Sequence, residues 1–131
     1  MAARANLVLK DRAATPVNHT FSPDGDKADV HLFSEKTAVP AGNPRYSISL
    51  REGASRWTAV IRMTIPVVQT QVINGVSSPV IVRTTYIDFK VTFSNVSTDQ
   101  ERKDAIGMFA DSLGATQTQI NDLLVNLQDI Y

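Results

Sequence analysis

The longest regular pattern in the sequence is the alternation of apolar and polar residues over positions 83–93. One side of this stretch carries Thr85, Ile87, Phe89, Val91 and Phe93, and the other side carries Thr84, Tyr86, Asp88, Lys90 and Thr92. Neighbouring side chains on a β-strand point to opposite faces, so the pattern predicts a strand with one buried face and one face in water. The polar face is unusual, because it presents a tyrosine, an acid and a base in succession.

Two further stretches, 45–51 and 56–65, show the same alternation. Their apolar positions are Tyr46, Ile48 and Leu50 in the first and Trp57, Ala59, Ile61, Met63 and Ile65 in the second. A loop is predicted over residues 67–78, with a hairpin-turn signal at Asn74-Gly75, and the last long strand is expected to cover 79–93. Sheets with one apolar and one polar face are antiparallel, so these strands predict an antiparallel sheet.

The start of the chain predicts a hairpin, with strands over 5–10 and 13–20 joined at Asp11-Arg12. Turn-forming residues at 22–26 separate this hairpin from a short strand at 29–34, and prolines and a glycine make 37–44 a loop. At 131 residues the chain is expected to be one domain. We divide it into a hairpin (1–21), a sheet (29–93) and a helical arm (97–131).

The helical arm contains two short amphipathic helices. Ser97 and Gln100 have the spacing of a capping box for the first helix, and Gly114 is expected to end it. Thr116 is expected to cap the start of the second helix in the same way. Apolar residues recur at helical spacing in both helices, at Ile106, Phe109 and Leu113 and at Ile120, Leu123, Leu124 and Leu127. Helices this short need an apolar surface on which to lie.

Charge is unevenly distributed although the formal net charge is zero. Residues 45–90 contain six basic and two acidic side chains, whereas residues 91–131 contain two basic and six acidic ones. A basic middle segment is typical of a chain that meets a polyanion, and chance clustering is the alternative explanation. No apolar stretch is long enough for a membrane helix, and the first residues do not resemble a signal peptide.

Catalytic and metal-binding motifs are missing from the sequence. Cysteine is absent, and only two histidines are present. Asp24, Asp26 and Glu35 fit positions one, three and twelve of a calcium loop, but Ala28 and Asp29 stand where that loop needs an oxygen ligand and a glycine. Tyr86 and Asp88 are candidates for an acid–base pair, but a flat sheet face offers no pocket that excludes water. We therefore expect no enzymatic activity, no cofactor and no metal.

The polar sheet face has the side chains needed to bind single-stranded nucleic acid. The basic side chains that can meet phosphates are Arg45, Arg51, Arg62 and Lys90, and Tyr86 can stack on an unpaired base. An ionised carboxylate only accepts hydrogen bonds, so Asp88 can contact the exocyclic amino group of a base. The small hydroxyls on this face are Ser47, Ser49, Thr58 and Thr84. A solvated face with an isolated tyrosine is the alternative from this pattern alone.

The order of several segments resembles the coat proteins of single-stranded RNA bacteriophages, the levivirus type. The segments are Tyr-Ser-Ile-Ser-Leu-Arg (46–51), Arg-Met-Thr-Ile-Pro (62–66), Asn-Gly-Val (74–76) with Pro79, Arg-Thr-Thr-Tyr-Ile-Asp (83–88), Ser-Thr-Asp-Gln-Glu-Arg (97–102) and the terminal Ile-Tyr (130–131). The resemblance implies an α+β fold with an N-terminal hairpin, a five-stranded antiparallel sheet and two C-terminal helices. In an intertwined homodimer these helices pack on the partner subunit's sheet.

The resemblance also implies a function. Dimers of the family build an icosahedral shell around the genome, assembled in the bacterial host cytoplasm. The sheet face binds a hairpin of the viral RNA, which represses replicase translation and marks the genome for packaging. Carried over by position, the RNA-binding residues are Ser47, Ser49, Arg51, Thr58, Arg62, Tyr86, Asp88 and Lys90. The contacts between dimers fall on Val72, Ile73, Asn74, Gly75, Val76 and Pro79.

Two departures from the family pattern concern charge and covalent links. Thr58 stands where some members have lysine and Val60 where some have a polar residue, and the chain lacks the cysteines that crosslink some shells. The alternative function is a cellular RNA-binding module that forms a dimer and no shell.

Overall fold

The computed structural model describes residues 3–131, which form six β-strands followed by two α-helices. The strands are β1 (Leu7–Lys10), β2 (Asn18–Lys27), β3 (Val30–Ser34), β4 (Arg45–Glu52), β5 (Arg56–Ile73) and β6 (Val76–Ser94). The helices are α1 (Asp99–Ser112) and α2 (Thr118–Leu124). The antiparallel sheet and the two C-terminal helices predicted from the sequence are confirmed. No helix in this part of the chain is long and apolar enough to cross a membrane.

The strands form one sheet in sequence order, β1 to β6, and the pairs from β1 through β5 are antiparallel. The sheet has six strands rather than the predicted five, and the N-terminal hairpin belongs to it because β2 pairs with both β1 and β3. By contacts, the chain divides into two compact units, of which the first ends at Thr92 and the second begins at Phe93. The second unit contains the end of β6 and both helices.

The predicted turn at 22–26 is wrong, because β2 runs through it to Lys27. The chain instead reverses at Ala28, whose φ is 54°. Pro23 is tolerated within β2 for two reasons. It lies beyond residues 18–21, the only part of β2 that pairs with β1, and the register shifts between Pro23 and Asp26. Proline is accommodated in strands at such free edges and irregularities. The predicted strand at 13–20 likewise begins only at Asn18.

The predicted loop at 67–78 is also wrong, because β5 and β6 continue to a two-residue turn at Asn74 and Gly75. Both turn residues have positive φ, 53° and 80°, as the type I′ hairpin turn requires. The strand predicted over 56–65 continues through Pro66 to Ile73. The pairing of β5 with β4 stops at Thr64, so the missing N–H of Pro66 costs no bond on that side. The turn at Asn74 and Gly75 was therefore predicted correctly, but the residues on either side of it form the strands of a long hairpin instead of a loop.

The best-buried part of the sheet is a cluster of three aromatic rings. Phe21 and Phe33 are 2% and 4% exposed, and both rings contact Tyr46, with centroid distances of 6.0 and 6.5 Å. Burial raises the pKa of the Tyr46 phenol. Cross-strand pairs such as Tyr46 with Met63 and Ile48 with Ile61 extend this side of the sheet, as the alternation predicted.

The capping box of α1 is shifted by one residue from the prediction. Thr98 is the N-cap and accepts a hydrogen bond from the Glu101 backbone N–H, and the Glu101 side chain accepts one from Thr98. Ser97 instead donates its hydroxyl to the Ser94 carbonyl at the end of β6, 2.7 Å away. Gly114 follows the helix as expected. The predicted cap at Thr116 is wrong, because Gln117 is the N-cap of the second helix and makes no side-chain cap bond. The helix covers only seven residues, so Leu127 of the predicted apolar stripe lies beyond its end.

Candidate nucleic-acid interface

Cross-strand register brings the polar residues of β4 and β5 onto one face of the sheet. Ser47 pairs with Arg62 and Arg51 pairs with Thr58. Residues that are directly opposite in a sheet share a face, so these four side chains form one surface. The next strand along the sheet is β6, which contributes Asp88 and Lys90.

In contrast to the flat face expected from the sequence, this surface contains a shallow hollow of about 470 Å³. Its lining is Val30, Ser49, Arg51, Thr58, Val60, Arg62, Asp88, Phe89 and Lys90. Three of these side chains are basic and one is acidic, so the hollow is electropositive. It therefore brings together six of the eight predicted RNA-binding residues, namely Ser49, Arg51, Thr58, Arg62, Asp88 and Lys90.

A second hollow of about 400 Å³ lies on the other side of Arg62, which lines both. Its lining residues are Asp24, Leu32, Phe33, Arg45, Tyr46, Ser47, Arg62 and Thr64. The Lys36 ammonium, 3.1 Å from Asp24, and the Ser34 hydroxyl, 3.0 Å away, hold the pKa of that carboxyl below its usual value. Ser47 is thus placed in the second hollow rather than the first.

Tyr86 lines neither hollow. Its side chain is 76% exposed on β6, two residues before Asp88. Positions two apart on a strand share a face, so the ring stands beside the hollow and is accessible to a ligand. An exposed aromatic ring next to an electropositive surface can stack on a base while the phosphates meet the basic side chains.

An ion pair joins β5 and β6 within the hollow. Nε of Arg62 lies 3.4 Å from Oδ1 of Asp88, and both side chains are mostly exposed. The contact uses the Nε edge of the guanidinium and one carboxylate oxygen. Arg62 can therefore still present its terminal amino groups to a phosphate, and Asp88 can present its second oxygen to a donor.

Sequence reasoning missed three apolar residues of the hollow, Val30, Val60 and Phe89, the last of which it had assigned to the apolar face. Val30 belongs to β3 and reaches this surface because it pairs with Ser49. The contact between Val30 and the hollow follows from the register between β3 and β4. A strand of five residues has too short a pattern to predict that register. Val60 was recognised as pointing to the polar face but not as part of the site; it pairs with Ser49 from the opposite side.

The hairpin formed by β5 and β6 ends in an exposed apolar tip. Val72, Ile73 and Val76 are 69%, 56% and 65% exposed, and Pro79 is also exposed. These side chains flank the Asn74–Gly75 turn. The predicted contact residues therefore lie together at the end of one hairpin.

The carboxylates considered for calcium have separate basic partners. Asp24 is bound to Lys36, Asp26 contacts both Arg4 and His31, and Glu35 contacts His19. Within residues 3–131, no group of three or more acidic or histidine side chains is arranged to hold a metal ion.

Comparison with known proteins identifies the family. The levivirus coat protein family model matches residues 2–131. The capsid protein of Pseudomonas phage PRR1 is 43% identical over 127 residues, which cover 96% of this chain and 97% of that protein.

Solved structures agree with this match. The virus-like particle of bacteriophage ESE058 has a subunit with a TM-score of 0.85 and 25% identity, over 99% of this chain and 100% of that chain. The capsid protein of bacteriophage GA shares the fold with a TM-score of 0.82 at 22% identity, over 96% of each chain. The chain therefore belongs to the levivirus coat protein family and is a capsid protein.

Proposed function

We propose that the chain assembles as homodimers into an icosahedral shell around single-stranded viral RNA and resides in the virion, after assembly in the bacterial host cytoplasm. The polar sheet face binds an RNA hairpin that marks the genome for packaging and represses replicase translation. The observation that carries this proposal is the electropositive hollow beside the exposed ring of Tyr86, on a chain of the coat protein family. Relatives described as virus-like particles support the assembly.

The dimer is supported by apolar surface that the single chain leaves exposed. On the sheet, Leu50 and Ile87 are 59% and 46% exposed, and on α1 Ile106 and Phe109 are 40% and 48% exposed. Packing the helices of each subunit on the sheet of its partner removes both surfaces from water. The α1 helix has 14 residues and α2 only seven, lengths at which helices depend on tertiary contacts.

In the proposed RNA complex, each part of the hollow has a separate role. The side chains that neutralise phosphates are Arg51, Arg62 and Lys90. Their electrostatic contribution to the affinity is strong but does not depend on the RNA sequence. Tyr86 stacks on a base of the hairpin loop, and Asp88 contacts the edge of that base. Ser47, Ser49 and Thr58 provide hydroxyls that can donate to or accept from the RNA.

Contacts between dimers are assigned to the tip of the β5–β6 hairpin. Because the chain has no cysteine, these contacts must be noncovalent. Val72→Asp with Val76→Asp places two charges at the exposed tip, so we expect dimers of normal stability that no longer form closed shells. Electron microscopy and sedimentation velocity measure the two states. A matched variant, Gln69→Asp with Thr70→Asp, adds the same charge to exposed positions further from the turn and should still assemble. Closed shells from the tip variant would overturn this assignment.

The second prediction tests the stacking role of Tyr86. Tyr86→Ala should weaken the binding of a synthetic RNA hairpin by about 1–3 kcal/mol, the usual contribution of one stacked base. The free energy of unfolding should hardly change, because the side chain is 76% exposed. Hairpins are first selected by the wild-type protein from a pool with randomised loops, and affinity is then measured by filter binding.

Tyr86→Phe is the matched control, since it keeps the ring and loses only the hydroxyl. Affinity near that of the wild type is expected for this variant. Equal losses in the Phe and Ala variants would show that the hydroxyl, and not the stacked ring, makes the contact. Unfolding of the Ala variant would place Tyr86 in the core.

The third prediction concerns the base contacted by Asp88. A carboxylate accepts hydrogen bonds and an amide can also donate them, so wild type should prefer cytosine over uracil at the stacked position by about 1 kcal/mol. Asp88→Asn should abolish this preference, since asparagine can serve either base. Affinities for two hairpins that differ at this single base provide the measurement.

Glu52→Gln controls for the general effect of removing one negative charge. Glu52 is exposed on β4 and pairs with Trp57, on the opposite side of the sheet from Arg51 and Thr58. It should retain the preference for cytosine. An unchanged preference in the Asp88→Asn variant would contradict the proposed role of Asp88.

A further inference from the structure

The imidazole ring of His19, on β2, lies between two carboxylates from different segments of the chain. Its Nε2 atom is 2.8 Å from Oδ2 of Asp11, and its Nδ1 atom is 2.9 Å from Oε2 of Glu35. Asp11 follows β1, and Glu35 follows β3. The ring is therefore the central member of a three-residue bridge across the N-terminal part of the sheet.

This geometry requires a charged histidine. A neutral imidazole has one N–H and one acceptor nitrogen, and an ionised carboxylate has only acceptors. Only the imidazolium can donate to both carboxylates at the same time. The hydrogen bonds to Asp11 and to Glu35 accordingly raise the pKa of His19 above its ordinary value of 6.5.

The bridge holds the connection between β1 and β2 in place. Asp11 also accepts hydrogen bonds from the backbone N–H groups of Ala13 and Val17, at 3.1 and 3.0 Å. The Val17 N–H, the His19 ring and the Ala13 N–H, in that order, lower the pKa of Asp11 to about 2. The Asp11 carboxylate thus binds two backbone groups of this connection as well as the His19 ring, and the Asp11 N–H donates to the Val17 carbonyl, 3.1 Å away.

The other end of the bridge is fixed to the body of the sheet. The backbone N–H of Glu35 donates to the Pro44 carbonyl, 3.0 Å away, and so closes the connection between β3 and β4. Within that connection, Gly42 is buried against the Val68 side chain of β5, where a larger residue would collide. His19 therefore links a terminal hairpin to a connection that is packed on the long strand β5.

The charged groups that act on His19 are the carboxylates of Asp11 and Glu35. Opposite His19 on β1 is the uncharged Leu9. The cations next to the two carboxylates in the chain are Lys10, Arg12 and Lys36, and Lys36 is bound to Asp24. A change of pH near neutrality therefore acts on this bridge through the imidazole.

We propose that His19 is a pH-dependent clamp that holds the β1–β2 hairpin on the β3–β4 connection. Because the histidine pKa is raised in the folded state, its stabilisation is complete below 6.5 and is lost as pH rises through the raised value. The Asp11 contribution is complete above its ordinary pKa of 3.8 and is lost as pH falls through about 2. The clamp is thus closed in mildly acidic solution and opens as the solution becomes alkaline.

Hydrogen exchange of the intact protein between pH 5.5 and 9 tests the proposal. After correction for the intrinsic exchange rate, peptides covering 11–17 and 35–44 should lose protection as pH rises, whereas peptides from β5 should not. His19→Gln has one donor group and one acceptor, so both peptides should be less protected at pH 5.5 and should show little pH dependence. Constant protection of these peptides in wild type would overturn the clamp.

His31→Gln is the matched control. His31 contacts a single carboxylate, Asp26, at 2.9 Å, a bond that a neutral ring can also make. In this variant, the protection of both peptides should depend on pH as it does in the wild type. If that pH dependence disappeared, it would not arise from His19.

A second measurement does not depend on whether the His19 variant folds. The chain has two histidines, so solid-state NMR of ¹⁵N-histidine protein can follow both rings, with His31→Gln for assignment. Two protonated ring nitrogens are expected for His19 at pH 6.5, with loss of one proton at higher pH. A neutral His19 ring at pH 6.5 would contradict the proposal.

Discussion

Incomplete burial of apolar surface within one chain is the constraint on which the rest of the structure depends. In the described part of the chain, Phe21 and Phe33 are the only hydrophobic side chains that are fully buried. On the apolar faces, Leu50 and Ile87 of the sheet and Ile106 and Phe109 of α1 remain between 40% and 59% exposed. Each square ångström of such surface removed from water contributes about 25 cal/mol, and a small domain has few ways of covering it alone. In our proposal, association with a second copy supplies the missing cover, so that folding and assembly are parts of one process.

In the proposed function, the two faces of the sheet have separate roles. One face is apolar and suits protein contacts, whereas the other has Arg51, Arg62 and Lys90 around a hollow with Tyr86 beside it. Because apolar and polar residues alternate along β4, β5 and β6, each strand contributes side chains to both faces. A shift of one residue in register would move the apolar side chains to the polar face. Long and regular alternation therefore specifies the register of these strands. The zero net charge of the chain is compatible with RNA binding, because residues 45–90 contain six basic side chains and only two acidic ones.

The sequence predicted the alternating strands, the Asn74-Gly75 turn and both helices, because each depends on a local pattern. It failed where the neighbouring strand decides the outcome. Pro23 and Pro66 looked like strand breakers, yet both occupy stretches where one neighbouring strand has already ended. The N-cap moved from Ser97 to Thr98 because Ser97 bonds to the end of β6. For the site, the polar alternation located Arg51, Arg62 and Asp88. Val30 needed the register between β3 and β4, and the His19 bridge needed three segments to be placed together in space.

The most direct test of the central claim is electron cryo-microscopy of the protein purified from bacteria, combined with its absorbance ratio at 260 and 280 nm. Our account predicts closed shells of dimers in which helices pack on the partner's sheet, with RNA density against the face that carries Tyr86 and Arg62. Monomers with the apolar faces exposed to solvent, or shells whose RNA lies against a different surface, would contradict it.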